Sequence, residues 1–533
     1  MAEALDLIII GGGHNGLVCA FYAARAGMKV RVLEKHHTVG GAAITEEFHP
    51  GFRNSVAAYT VSLLNPKISG EMNLAGHGLR IVKRRALNFL PLMDGTSLLT
   101  GPGRTQAAIA ARNAKDGAAW PRYSAELDKV TDILREIVLL RPPNFSPVGG
   151  AATVWEALRT WGLGRKFSRL DAFGRQNFYD LMTRSAGDYL DSWFEDDAVK
   201  ALYGFDSIVG NFSSPRVPGT AYVQLHHAIG EVDGERGLWG HAIGGMGVIT
   251  QAMAKAAMAA GAEIETSAPV SEVLIEGDRA TGVRIEGGGE LHAKRVASNL
   301  NPKLLFSAFV PDAKLPDEFA RRIKSWRNGS GSFRMNLALS RLPDFTALKG
   351  EGDHLTAGII IAPSLDYMDR AWRDAVDSGW SRKPVVEMLV PSTLDDSLAP
   401  KGAHVASLFC QHVNPALTGA AWEAARDEVA QLMIRTVDEY APGFAQSVIA
   451  YTAMGPADIE RRFGMTGGDI FHGAMGLDQL FAARPALGYA DYRTPVRGLY
   501  QCGSGTHPGG GVTGAPGHNA AREIIRDWRG KRN

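Results

Sequence analysis

Gly11-x-Gly13-x-x-Gly16 separates an apolar run, Leu5 to Ile10, from an Ala-rich stretch, Leu17 to Ala26, and Glu34 ends the next apolar run, Lys29 to Leu33. Residue types in this order suit a nucleotide. Gly11 permits a tight turn, Gly13 lets backbone N–H groups approach a pyrophosphate, and Gly16 lets the helix pack closely on the strand. Glu34 is placed to accept hydrogen bonds from ribose hydroxyls. A lone glycine match would mean only a turn, but strand, turn, helix, strand and acid agree here and predict dinucleotide binding.

A second glycine-rich stretch runs from Gly498 through Cys502, Gly503 and His507 to Gly517. Its Gly509-x-Gly511-x-x-Gly514 fits the same expression, yet the chain ends at residue 533, too soon for another βαβ unit. What it offers is a row of backbone N–H groups ahead of a helix, a place to stabilise negative charge. His507 inside this loop either orients or deprotonates a substrate or hydrogen-bonds loop backbone; the sequence leaves both readings open. His226, His227 and His241 lie close in sequence, but no carboxylate or cysteine completes a ligand spacing, so no metal is expected.

The elements that must position these residues follow from periodicity. Residues 5 to 33 read as βαβ. Thr105 to Trp193 turns helical, with the stripe Leu127, Val130, Ile133, Leu134, Ile137 and Val138 ahead of Arg141-Pro142-Pro143; it reads as a helical insertion whose stripe packs in the core, lines an apolar tunnel or lies on a membrane surface. Strand and helix alternate again over Gly244 to Asn301, with hairpin turns at Gly277-Asp278 and Gly287-Gly288-Gly289. Strand-like runs at Phe333–Leu339, Gly358–Ile361, Val385–Val390 and His404–Cys410, with an amphipathic helix at Trp422–Glu439, predict a second sheet domain. The expected class is α/β, a Rossmann-type domain with an α+β substrate domain: 1–85, 225–305 and 485–533 against 86–224 and 306–484.

Composition narrows the function. The 533 residues carry 57 Lys plus Arg against 56 Asp plus Glu, which removes the global basic field of a nucleic-acid binder. Three separated cysteines, Cys19, Cys410 and Cys502, exclude a local dithiol centre or thiolate zinc site and fit a reducing compartment. The mean hydropathy is −0.10 and no apolar run approaches membrane-spanning length, so a cytoplasmic protein is expected, with peripheral membrane contact left open. A signal or transit peptide has no room before Leu5.

Glu34 runs on through Lys35 to Gly40-Gly41, which resembles the acid-then-Gly-Gly extension of glutathione-reductase-type flavoproteins and points to FAD. More of the chain resembles the phytoene desaturase and carotenoid-isomerase-like FAD oxidoreductases, most nearly the branch named for a pyridine nucleotide-disulphide oxidoreductase domain. The resemblance rests on Gly40-Gly41-Ala42-Ala43 through Phe52, Ile470-Phe471-His472-Gly473, Tyr492-Arg493-Thr494-Pro495 and the Gly503 to Gly517 loop. Two departures stand out: Ala42 occupies the place where many relatives carry Arg, and these cysteines cannot perform disulphide chemistry locally.

Carried over by resemblance, Gly11, Gly13, His14, Asn15, Gly16, Glu34 and Lys35 would hold the ADP half. Gly41, Ala42 and Ala43 would pass the flavin ring, Val270 would bond adenine through its backbone, and Gly503, His507, Gly511 and Val512 would surround pyrophosphate and ring. The implied reaction is hydride removal from a C–H bond of an apolar substrate, isoprenoids included. A flavin amine oxidase and a non-catalytic isoprenoid-binding protein are the alternatives; the intact glycine turns argue against the latter. Gly101-x-Gly103 and Gly245-x-Gly247 lack a third glycine and a convincing preceding strand, so no NAD(P) site is expected, and oxygen or a quinone would accept the electrons.

Overall fold

The computed structural model describes residues 5–144, 160–162 and 164–530; the stretch 145–159 of the expected helical insertion lies outside them. Leu7–Ile10 forms the middle of a five-stranded parallel sheet, in the order Glu263–Glu265, Val30–Leu33, Leu7–Ile10, Val296–Ser298, Leu499–Gln501. All four residues of the central strand are apolar and buried because such a strand is covered on both faces. Leu7 and Ile9 face the helices His14–Arg25, Gly247–Ala259 and Ala515–Arg529, meeting Leu17, Ile249, Met253 and Ile524. Ile8 and Ile10 face Val273, Val283 and Phe306. The first two of these belong to a three-stranded antiparallel sheet, Val270–Glu276, Arg279–Ile285 and Glu290–His292, whose turns fall at the predicted glycines.

The second sheet has seven strands, in the order Val448–Met454, Ser332–Leu339, His404–Val413, Trp380–Leu389, Gly358–Ile361, Asn88–Pro91, Ser97–Leu99. Its pairings are antiparallel except Gly358–Ile361 with Asn88–Pro91. Period-two alternation divides its faces. Phe333, Met335 and Leu337 pack on Trp422, Val429 and Met433 of the helix Gly419–Tyr440. The opposite face, including Leu90, Ile360 and Phe409, receives Tyr123, Val130 and Leu134 of Ala114–Ile137 and Leu202 of Asp197–Gly204. No helix among the described residues is long and apolar enough to cross a membrane.

Several expectations need correction. The first helix begins at His14, not Leu17, because Gly13 already stands in extended conformation as its N-cap. The partial glycine matches do follow strands, Ser97–Leu99 and Gly240–Ala242, but these pair antiparallel outside the parallel sheet and open no βαβ unit. Cys19 and Cys502, distant in sequence, are both buried in the one core cluster formed by the first helix and the parallel sheet.

Candidate active site

At the C-terminal ends of the parallel strands lies a cavity of about 240 Å³. Gly11, Gly13, His14, Glu34, Lys35, Gly41, Ala42 and Val270 all line it. Gly11 has φ +93°, a conformation that excludes side chains for practical purposes. The Glu34 carboxylate accepts from Gly12 N at 2.7 Å and His36 N at 2.9 Å, which fixes it at the cavity wall and leaves lone pairs for a further donor. Asn15, Gly16 and Gly503 do not line the cavity; they hold its frame. Asn15 donates to Ser504 Oγ at 3.0 Å, a Cβ on Gly16 would stand 2.2 Å from Gly11 O, and one on Gly503 would stand 2.6 Å from Asn299 O.

His14 and His472 line both this cavity and a second one of about 150 Å³. Their buried His14 Nε2 and His472 Nδ1 have no partner, and burial lowers the two rings to about 3 and about 4, so both are neutral. Unspent polar atoms facing a cleft with a glycine turn and an anchored acid suit a polar, phosphate-bearing guest. Ala43, Gly511 and Val512 line the second cavity. Val512 and His472 have φ of 57° and 59°, where non-glycine residues are uncommon and a β-branched valine is strained.

The outer wall of the second cavity comes from the seven-stranded sheet. Arg334, Phe409 and Glu387 are register partners on three adjacent strands. Tyr59 stacks on Phe409 with centroids 5.2 Å apart and donates its hydroxyl to Glu387, while the Arg334 guanidinium lies 4.6 Å from the Tyr59 ring centroid. Arg84, stacked near Trp239 and donating to Thr60 Oγ1 at 2.5 Å, is the other buried cation here. Burial raises the Glu387 carboxyl and its neighbouring guanidinium groups oppose this; burial and then Glu387 hold the Tyr59 phenol far above its ordinary value. Around this polar row the lining is Ala57, Ala58, Leu63, Val209, Ile470 and Phe471.

His507 faces a third cavity of about 270 Å³, walled by Leu134, Ile137, Val138, Tyr222 and Phe481, so the helical stripe both packs and lines an apolar space. Its Nε2 lies 3.2 Å from Ile137 O, and burial lowers the ring to about 4. It borders neither of the other two cavities; Ser62 and Leu63 line both the second and the third. The other histidines disperse: His241 pairs with Asp395 at 3.0 Å, while His226 and His227 pack edge to face. Among the described residues no group of His, Cys, Asp or Glu could hold a metal ion.

Sequence reasoning missed Asn299, Arg484, Tyr59, Arg334 and Glu387. Buried Arg484 donates to Phe471 O at 2.6 Å and Ser504 O at 2.8 Å, tying two cavity loops together. None carries a local motif; the alternation of Ser332–Leu339 with Arg334 among apolar residues was the one available signal.

Known proteins share both the glycine turn and the overall fold. Residues 9–71 match an NAD(P)-binding Rossmann-like domain, and 217–525 match the flavin containing amine oxidoreductases. Pyridine nucleotide-disulfide oxidoreductase domain-containing protein 2 of Rattus norvegicus is 38% identical over 98% of this chain and 94% of its own. A limonene dehydrogenase component of Castellaniella defragrans is 25% identical over 98% of this chain and 94% of its own. A putrescine oxidase variant redesigned in cofactor binding shares the fold, with TM-score 0.60, 16% identity and 98% of each chain covered.

Proposed function

The chain belongs to the flavin-containing amine oxidoreductase family, and from that premise we propose that this FAD-dependent oxidoreductase removes hydride from a C–H bond of an apolar small molecule, isoprenoids included, held beside Tyr59. The observation that carries the reading is the set of apolar residues lining the second cavity, together with a neighbouring third cavity that shares Ser62 and Leu63 with it. The limonene dehydrogenase component, similar along nearly its whole length, is named for an isoprenoid hydrocarbon.

When bound, FAD supplies the hydride acceptor at its N5. Gly11, Gly13, His14, Glu34 and Lys35 would hold its ADP half, framed by Asn15 and Gly16, with Val270 at adenine. Gly41, Ala42, Ala43, Gly503, Gly511 and Val512 would flank pyrophosphate and ring, and 1–85, 225–305 and 485–533 would form the cofactor unit. The chain's own part is to orient the substrate and exclude water. Gly514, with φ +74°, precedes the helix Ala515–Arg529, whose first N–H, on Ala515, donates to Thr513 Oγ1 at 3.0 Å while Pro516 has none, so the helix would favour negative charge at that end through its dipole.

Oxygen or a quinone is the proposed electron acceptor. Of the two strand-to-helix glycine connections on the parallel sheet, the Gly11 to Gly16 turn would hold the ADP half of FAD and the Gly503 to Gly514 loop would flank its ring, while Gly101-x-Gly103 and Gly245-x-Gly247 follow antiparallel strands. The test is anaerobic titration of holoenzyme with isoprenoids and amines, followed by mixing the reduced protein with oxygen, a soluble quinone or NAD(P)⁺. Isoprenoids should bleach the flavin, and oxygen or quinone should restore it. Bleaching by amines alone, or reoxidation by NAD(P)⁺ alone, would overturn the corresponding half of the proposal.

A further inference from the structure

Arg334 is 2% exposed and lines the cavity beside Tyr59, yet it forms no ion pair with any described carboxylate. A guanidinium has five N–H donors. Here Nη1 donates to Leu408 O and Nη2 to Ser407 Oγ, both at 2.7 Å, while Nε has no partner. An interior cation left with an unspent donor is costly, and proteins keep one where something else completes it.

The nearest acid does not fill that role. Glu387 accepts the Tyr59 hydroxyl, and Arg84 draws on it as well. A Cβ on Gly358 would stand 2.8 Å from Glu387 Oε1, 3.2 Å from Asn88 Oδ1 and 3.3 Å from Arg84 Nη1, so the missing side chain lets these three groups converge behind the cavity wall. Two buried guanidinium groups thus face one carboxylate. Asp206 adds little negative charge at neutral pH, because burial and then Glu387 push its carboxyl up to about 8.

We propose that the substrate's apolar skeleton bears a carboxylate and that Arg334 receives it, a refinement that rests on the apolar reading above. Seated against the guanidinium, the carboxylate supplies the missing counter-charge in a low-dielectric site, and a small side-chain rotation would bring the unpartnered Nε–H to its oxygen. A protonated amine meets the opposite conditions. The surplus guanidinium charge repels it, and the face of Tyr59 that would attract an ammonium already lies against Arg334.

Isothermal titration calorimetry of the holoenzyme with geranic acid, geraniol and geranylamine, one skeleton with three head groups, tests this. Geranate should bind at least about tenfold more tightly than the alcohol or the amine, a usual margin for a charge-assisted pair over a neutral contact. Arg334→Gln should abolish that margin while changing geraniol affinity less than about threefold, and Arg334→Lys should restore part of it. Equal losses for acid and alcohol in Arg334→Gln would overturn the assignment. If neither variant folds, the wild-type ranking decides alone. Geraniol binding with no advantage for geranate overturns this inference but keeps the apolar reading; tightest binding by geranylamine, or no binding by any of the three, overturns both.

Discussion

Gly16 and Gly13 belong to one motif but answer to different neighbours. A Cβ on Gly16 would meet the backbone oxygen of Gly11 at 2.2 Å, which cannot move without unmaking the turn; one on Gly13 would meet Asn299 Nδ2 at 2.7 Å, a side-chain amide that can swing aside. Gly16→Ala should therefore cost about 2 kcal/mol or more, at the upper part of the overpacking range, and lower FAD content, with Gly13→Ala milder in both. Urea midpoints and flavin-to-protein ratios check the order. At His507, whose ring is bonded to Ile137 O on the third cavity, alanine should leave flavin content unchanged and weaken half-saturation by apolar substrate. A slower bleaching rate at saturating substrate would instead return His507 to the chemistry.

At the scale of elements, the motif Tyr492-Arg493 is a clamp on the last helix. Arg493 bonds Asp527 through Nε at 2.8 Å and Nη2 at 2.7 Å, and Nη1 reaches Asp491 at 2.7 Å and Glu523 at 3.0 Å. Tyr492 donates to His507 O at 3.0 Å and accepts from Asn519 at 2.9 Å. The clamp thereby sets the angle at which Ala515–Arg529 presents its N-terminus to the loop. Arg493→Leu takes the shared guanidinium from three carboxylates, of which Glu523 keeps Arg526, Asp491 keeps Arg141 and Asp527 keeps, among the described residues, only the Tyr500 hydroxyl, and should destabilise by about 3 kcal/mol, the lower end for breaking a buried pair. Faster amide hydrogen exchange over 515–529, with FAD loss on dilution, would show it; unchanged exchange there would separate the clamp from the helix.

For the whole molecule, acid is the expected weakness. Burial lowers His412 and His226 to about 3 and His227, like His472 and His507, to about 4. Their folded pKa values lie below the unfolded value near 6.5, so below that pH the unfolded chain binds more protons and stability falls. The loss runs from about pH 6.5 down to about pH 4 for His227, His472 and His507 and to about pH 3 for His412 and His226, at up to about 1.4 kcal/mol per pH unit for each independent ring. Urea midpoints should drop between pH 7 and pH 5, and His412→Asn, which removes a ring with no hydrogen-bond partner, should flatten that drop. A midpoint constant over this interval would mean these rings titrate normally.

How much of this was legible follows from the range of the interactions. The βαβ opening, the Glu34 anchor, the three-stranded hairpin sheet and the cavity formed by Gly11, Gly13, His14 and Val270 were readable in sequence. Turn geometry and strand periodicity are properties of neighbouring residues, and the family pattern marked the rest. Tyr59, Arg334, Glu387 and Phe409 were not readable. They lie up to hundreds of positions apart, and the register of three strands with the stacking of Tyr59 on Phe409 makes them one site. His507 shows the same division: its loop was identified from sequence, but the cavity it faces was decided by where Ala114–Ile137 packs. Sequence alone determined that this chain binds a dinucleotide, because that chemistry is written in a single turn; tertiary packing alone decided what charge stands opposite, because long-range register and burial set it.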